Sequence, residues 1–342
     1  MKKNDLKRIL LAAIAVIVVV MICLCLYFCP VMTGGAEKDA EIRLRKGNTV
    51  EMVTDSIAKV LGDDFAQKVK KSFRMLRANV SNRQGAYRIK AGESPMSVAR
   101  KIRNGMESGV KFTFNNVRTK QQWAERVGET FAMDGDSILA LLNDADYCAQ
   151  LGFTTDNITA MLLPDTYEFY WCITPERLLE KLHGYYEKFW DKKRLEKAAA
   201  LGLTPAEVTI VGSIVEEETA KRDERGKVGR LYLNRIERGM QLQADPTVKF
   251  AIGDFGIKRI TLAMTRVNSP YNTYVIQGLP PGPIRMVEKG TLDAVLNAPR
   301  HNYLYMCAKE DFSGYHNFTA SYSEHMANAR RYQAALNARG IK

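Results

Sequence analysis

Residues 9–29, from Ile9 to Cys29, form an almost unbroken apolar run. A helix of that length and composition spans the hydrocarbon of a bilayer. Lys2, Lys3, Lys7 and Arg8 precede it, and a cationic flank of this kind stays on the cytoplasmic side. The alternative is a cleaved signal peptide, but Cys23 to Cys29 offers no small-x-small cleavage site. A lipobox at Cys29 fails too, because Leu26, Tyr27 and Phe28 before it are bulky. The expectation is a single uncleaved anchor at the inner (cytoplasmic) membrane, with residues 1–8 in the cytoplasm and everything after Pro30 outside it.

The chain has 342 residues, room for two or three compact units. Lys and Arg number 50 against 38 Asp and Glu, a net charge of +12. Such an excess suits nucleic acid, an anionic membrane surface or an acidic polymer. No arginine-rich tract or nucleic-acid fingerprint appears, so no nucleic-acid partner is expected. Of 6 cysteines, Cys23, Cys25 and Cys29 lie in the apolar run and Cys148, Cys172 and Cys307 are scattered. Neither they nor the 4 histidines have metal-ligand spacing. No metal or cofactor is expected.

The predicted fold class is α+β, a transmembrane helix followed by a small and then a larger α+β domain. A polar linker fills 30–40. Residues 41–110 read as strand (Ile42–Arg45), two helices (Thr49–Leu61 and Phe65–Leu76), strand (Gly85–Ile89) and helix (Ser97–Asn104). Residues 111–203 read as a strand at Phe112, two helices, an aromatic strand and a long charged helix from Pro175 to Ala200, in one or two pieces. The strand segment Leu162–Trp171 sets aromatics beside carboxylates, which suits a sugar-lining wall, although an ordinary core strand fits its composition better.

Residues 204–342 hold the unusual positions. Thr204 and Glu207 have capping-box spacing around Pro205, so a helix starts there. Its apolar positions are Val208, Val211, Ile214 and Val215, and the same rhythm turns Glu218 inward. Glu216 and Glu217 fall off that stripe and read as a solvated acidic end. An inward carboxyl resists ionising, so Glu218 is expected to stay protonated near neutral pH, as a general acid must. A second helix carries Asn234-Arg235 and ends at Gly239. Leu242-Gln243-Ala244-Asp245-Pro246-Thr247 is extended and then enters a helix at Pro246. Ser269–Tyr274 and Gly278–Ile284 are Pro/Gly-fixed loops that suit a polyol ligand or serve only as connectors.

Ser213–Thr219, Asn234-Arg235, Leu242–Thr247, Tyr271–Tyr274, Gly278–Ile284 and His316-Asn317-Phe318 together resemble, in order and spacing, the MltG or YceG-like family of endolytic murein transglycosylases. Leu163–Tyr167 resembles a further family segment, and residues 41–110, with Gly85-Ala86-Tyr87, are similar to a LysM-like unit. The resemblance implies a lyase that cuts the MurNAc–GlcNAc β-1,4 bond within peptidoglycan glycan strands and leaves 1,6-anhydroMurNAc ends. It implies Glu218 as the catalytic acid and base, and Asn234, Gln243, Asp245, Thr247, Tyr271 and Tyr274 as substrate-binding residues. Glu217 stands where relatives often carry Lys, and its charge is expected to raise the Glu218 pKa. The partner implied is the glycan strand; the anchor adds the membrane, and a cutter so tethered reaches only nearby wall, so it is expected to end or trim nascent strands beside peptidoglycan synthases.

Two rival readings stay open. One is a hydrolytic muramidase with Asp245 or Glu217 as the second carboxylate. The other is a non-catalytic, membrane-tethered scaffold that binds peptidoglycan.

Overall fold

The computed structural model describes residues 3–340. Lys2, one of the flanking cations, and residues 1 and 2 of the expected tail lie outside them. Helix α1 (Lys3–Met32) contains the apolar run. Its Leu10–Tyr27 segment has a mean hydropathy of 3.1 and is long and apolar enough to cross a membrane, with none of that segment buried in protein.

The rest of the chain divides into two compact units. The first takes in residues up to Lys111 together with 130–132 and 168–173. Strand β1 (Ala40–Leu44) is followed by helices α2 (Val50–Leu61) and α3 (Asp63–Met75), strand β2 (Gly85–Ile89) and helix α4 (Pro95–Arg103). Thus the strand–helix–helix–strand–helix order read from sequence is observed. β1 and β2 pair antiparallel, from Ala40 opposite Ile89 to Leu44 opposite Gly85. Alternation decides which strand residues go inside: Ile42 and Leu44 on β1 meet Val53, Ile57, Val69 and Phe73 from the two helices in one core. Thr49 caps α2 and Ser94 caps α4, each accepting the N–H three residues on.

The second unit comprises 112–129, 133–167 and the chain from Thr174. Strand β3 (Val110–Phe114) pairs with β4 (Asp165–Phe169). Between them lie helices α5 (Lys120–Thr130), α6 (Gly135–Leu142) and α7 (Ala145–Gln150), with a 3₁₀ turn at Ile158–Met161. Tyr167 of this unit is buried, as are Phe169 and Trp171 of the first, so this segment is core strand and not a sugar-lining wall. Pro175–Ala200 is two helices, α8 (Pro175–Phe189) and α9 (Lys192–Ala200), separated where Asp191 caps the second.

Helix α10 (Pro205–Glu218) is the axis of this unit. The Thr204 hydroxyl accepts the Glu207 N–H, and the Glu207 carboxylate accepts the Thr204 N–H at 2.8 Å. Such a reciprocal cap is worth roughly 1 kcal/mol. Every residue from Val208 to Glu216 is buried, so α10 has no solvent face. It packs against α9, α11 (Arg225–Glu237), α12 (Asp245–Ile252) and α13 (Lys289–Leu296). Gly212 permits the α13 contact, since a Cβ there would sit 3.1 Å from Leu292 and Val287 side-chain carbons. α11 stops as expected: Gly239 takes φ 64°, and Met240 N–H reaches back to the Arg235 carbonyl at 2.9 Å. The hairpin β5 (Tyr305–Ala308) and β6 (His316–Thr319) is antiparallel, and α14 (Tyr322–Ala338), capped by Ser321, closes the unit.

The segment from Met286 to Glu288 lies just ahead of α13 and is not helical. Its backbone is already committed: Met286 N–H donates to the Val117 carbonyl and Glu288 N–H to Glu216 Oε2.

Candidate active site

Glu218 is the last residue of α10, where the buried helix reaches a cavity of about 280 Å³. The cavity is also lined by Tyr232 and Arg235 from α11, Gln243 and Asp245 beside α12, Tyr274, the Met306–Ala308 strand edge, His316 and His325. Glu218 keeps partial solvent access through the cavity mouth, while protein crowds its carboxyl group elsewhere. That crowding pushes its pKa up from 4.5 to about 7. The Tyr232 hydroxyl, donating to Glu218 Oε1 at 2.8 Å, works against the shift. The negative charge of Asp245 adds to it, and the cations Lys249 and Arg235 oppose it.

The surrounding side chains are held in turn. Tyr274 donates its hydroxyl to Asp245 Oδ1 at 2.6 Å. Arg235 is buried and gives its N–H groups to the carbonyls of Leu304, Gln241 and Leu242, joining the β5 hairpin to the Gln243 loop. Gln243 sits at φ 48°, a left-handed backbone that a non-glycine residue rarely adopts. Its N–H donates to the Thr273 carbonyl at 3.1 Å. Glu224 accepts the His316 backbone N–H and its Nδ1–H, at 2.9 and 2.8 Å, which fixes that ring at the cavity wall.

The other two acidic residues of the triplet are not solvated, and this corrects the sequence reading. Glu216 is buried: its Oε2 accepts the Thr291 hydroxyl at 2.6 Å and the Glu288 N–H at 3.0 Å, and its Oε1 lies 3.1 Å from Arg285. Glu217 is bidentate to Arg118 at 2.9 and 3.0 Å and also accepts from Arg285 at 2.9 Å. With two guanidiniums on it, its charge is absorbed locally. The push on Glu218 comes from burial and Asp245, not from Glu217.

Of the residues expected to bind substrate, Gln243, Asp245 and Tyr274 line the cavity with Glu218, and Asn234, Thr247 and Tyr271 do not. Thr247 is fully buried, donating to the Ala244 carbonyl at 2.6 Å and pairing with the Thr273 hydroxyl at 2.8 Å. Tyr271 packs its ring on Phe250, with centroids 4.7 Å apart. Asn234 lies on α11 and donates to the carbonyls of His301 and Tyr303, both at 2.9 Å. These three hold the frame together. Tyr232, His325 and the Met306–Ala308 edge are wall residues that sequence reasoning missed. A tyrosine on an amphipathic helix reads as core, and no local signal links its hydroxyl to a carboxyl 14 positions earlier.

Chemically, the cavity offers a carboxyl group poised to carry a proton near pH 7, a tyrosine hydroxyl on one of its oxygens, and a second carboxylate held by another tyrosine. That set suits acid–base work on a polar substrate. Among the described residues, no group of three His, Cys, Asp or Glu side chains is placed to hold a metal ion.

Comparison with known proteins agrees. A profile of the YceG-like family matches residues 42–331. The chain is 26% identical over 332 residues to an endolytic murein transglycosylase of Bacillus subtilis, covering 88% of both chains. It is 30% identical over 152 residues to an endolytic murein transglycosylase of Streptococcus pneumoniae, a match covering 43% of this chain and 27% of that longer one. In fold it is similar to the crystal structure of a putative YceG-like protein of Listeria monocytogenes, with a TM-score of 0.57, 20% identity, and coverage of 85% of this chain and 98% of that one.

Proposed function

The chain belongs to the YceG-like family, and on that premise we propose that it is a membrane-tethered lytic transglycosylase acting on peptidoglycan glycan strands. One observation carries this reading: Glu218 ends a buried helix in a polar cavity, bonded by Tyr232, where burial pushes its pKa up to about 7. The relatives named endolytic murein transglycosylases supply the substrate class.

In the proposed reaction Glu218 gives its proton to the glycosidic oxygen of a MurNAc–GlcNAc bond, and the bond to C1 breaks with an oxocarbenium-like sugar forming. Glu218, now ionised, takes the proton of that sugar's C6 hydroxyl, whose oxygen closes on C1. The products are a 1,6-anhydroMurNAc end and a free GlcNAc hydroxyl, and no water is consumed. Tyr232 keeps the carboxyl oriented through both transfers. Asp245, steadied by Tyr274, faces the positive charge that develops on the ring, and Gln243 positions the glycan.

A second reading has Asp245 directing water onto C1, because it shares the cavity with Glu218. Glu217 cannot serve as that second carboxylate while two arginines occupy it. Digesting purified strands in ¹⁸O-water separates the two. Anhydro ends without label support transglycosylation; labelled reducing ends support hydrolysis. If strands bind and stay uncut, the protein is a scaffold.

We place residues 1–8 in the cytoplasm, the anchor at 9–29 and a linker at 30–40. A LysM-like unit (41–110) and the catalytic module (111–342) then lie on the outer face of the membrane. An enzyme so tethered reaches wall close to the membrane and would end nascent strands beside peptidoglycan synthases.

A further inference from the structure

Asn234 is a motif residue that does not line the Glu218 cavity, and it stands at a second cavity of the same unit. This cavity, about 580 Å³, is lined by Lys197, Arg230, Arg238 and Arg300, with Glu237 as its one carboxylate. Asn234 is buried, and its side chain is devoted to this wall: Oδ1 accepts Arg230 Nε at 2.7 Å while Nδ2 ties down the 301 and 303 carbonyls. Arg230 also pairs with Glu237. Among the described residues, the guanidiniums of Arg238 and Arg300 form no ion pair. His301 adds no charge. Its Nε2 faces the Lys227 carbonyl at 2.9 Å, its Nδ1 takes the Tyr303 N–H at 3.1 Å, and burial lowers its pKa.

We propose that this cavity is an anion site for the carboxylates of acidic peptides borne on the glycan. The ligand class rests on the peptidoglycan reading above. Four cations against one carboxylate leave a positive field, and planar guanidiniums pair with carboxylates through two parallel hydrogen bonds. An anionic lipid is the other source of such charge. Insertion into lipid needs exposed apolar side chains, and none of the exposed large hydrophobics among the described residues lines this cavity. Asn234 then orients Arg230 as a positioning residue, binding the peptide only through that arginine.

The test uses full-length protein in detergent and a fluorescein-labelled Ala-γ-Glu-Lys-Ala peptide, read by fluorescence anisotropy. Wild type and Glu218→Gln should bind it equally. The double variant Arg238→Ala/Arg300→Ala should bind about tenfold more weakly, and so should a peptide with its carboxylates amidated. Asn234→Ser tests the orienting role, with far-UV circular dichroism as the check on folding. In turnover, the double variant should raise KM about tenfold on peptide-bearing strands and leave kcat, and cleavage of peptide-free strands, unchanged. Equal binding of acidic and amidated peptides would overturn the proposal. So would an unaffected double variant, or loss of binding to phosphatidylglycerol vesicles with peptide binding intact. Should wild type cut no strand, the enzymatic reading fails while the anisotropy result still decides this site.

Discussion

The Tyr232 hydroxyl donates to Oε1 of Glu218 at 2.8 Å, across the contact of α11 with α10. That bond favours the ionised carboxylate and occupies Oε1, so Oε2 is the oxygen we assign to hold and pass the proton. Tyr232→Phe removes the donor and keeps the ring. It should lower kcat/KM about tenfold and move the alkaline limb of the pH profile upward, because one interaction favouring ionisation is gone. A merely structural tyrosine would leave that limb where it was.

The pH dependence follows from the same group. Burial raises Glu218 from 4.5 to about 7, so kcat/KM should fall as pH rises through 7 and the acid form disappears. Stability moves with it. Between 4.5 and about 7 the folded chain keeps a proton that the unfolded chain has lost, so stability declines with rising pH across that window and levels off above it. The full gap corresponds to at most about 3 kcal/mol, less here because water reaches the cavity mouth. Glu218→Gln should therefore unfold at a higher temperature than wild type at pH 8 and at the same temperature at pH 4, measured by calorimetry.

Glu216 anchors the helix end. Glu216→Ala leaves the Thr291 hydroxyl and the Glu288 N–H without their acceptor and removes one of the two carboxylates on Arg285, which keeps Glu217, and should cost about 3 kcal/mol in urea unfolding. Glu217→Ala lies nearer the surface and should cost less.

Gln243 pairs a strained backbone with a place in the cavity wall. Glycine adopts its φ without strain, so Gln243→Gly should leave stability within about 1 kcal/mol of wild type. The lost side chain should lower kcat/KM. Strand cleavage at the wild-type rate would remove Gln243 from the glycan site.

Local patterns carried much of the fold. The β1–α2–α3–β2 order, the Thr204–Glu207 cap and the Gly239 stop all depend on neighbours in sequence. Glu218 also emerged from helical rhythm, although α10 is buried on every side and has no single inward stripe. The rhythm turned Glu218 inward, where the cavity meets it, but misread Glu216 and Glu217 as solvated, because burial there depends on Arg118, Arg225 and Arg285, which lie outside α10. Tyr232 and His325 were illegible for the same reason: their roles exist only once separate helices meet at the cavity. The split among the motif residues, with Asp245 on the wall and Thr247 beneath it, is likewise set by how α12 packs.

The most direct test of the account is release of anhydro-ended fragments from purified glycan strands by Glu218→Gln, resolved by mass spectrometry beside wild type. The account predicts a fall of at least about a thousandfold in a variant that still folds. Anhydro products formed at the wild-type rate would contradict it.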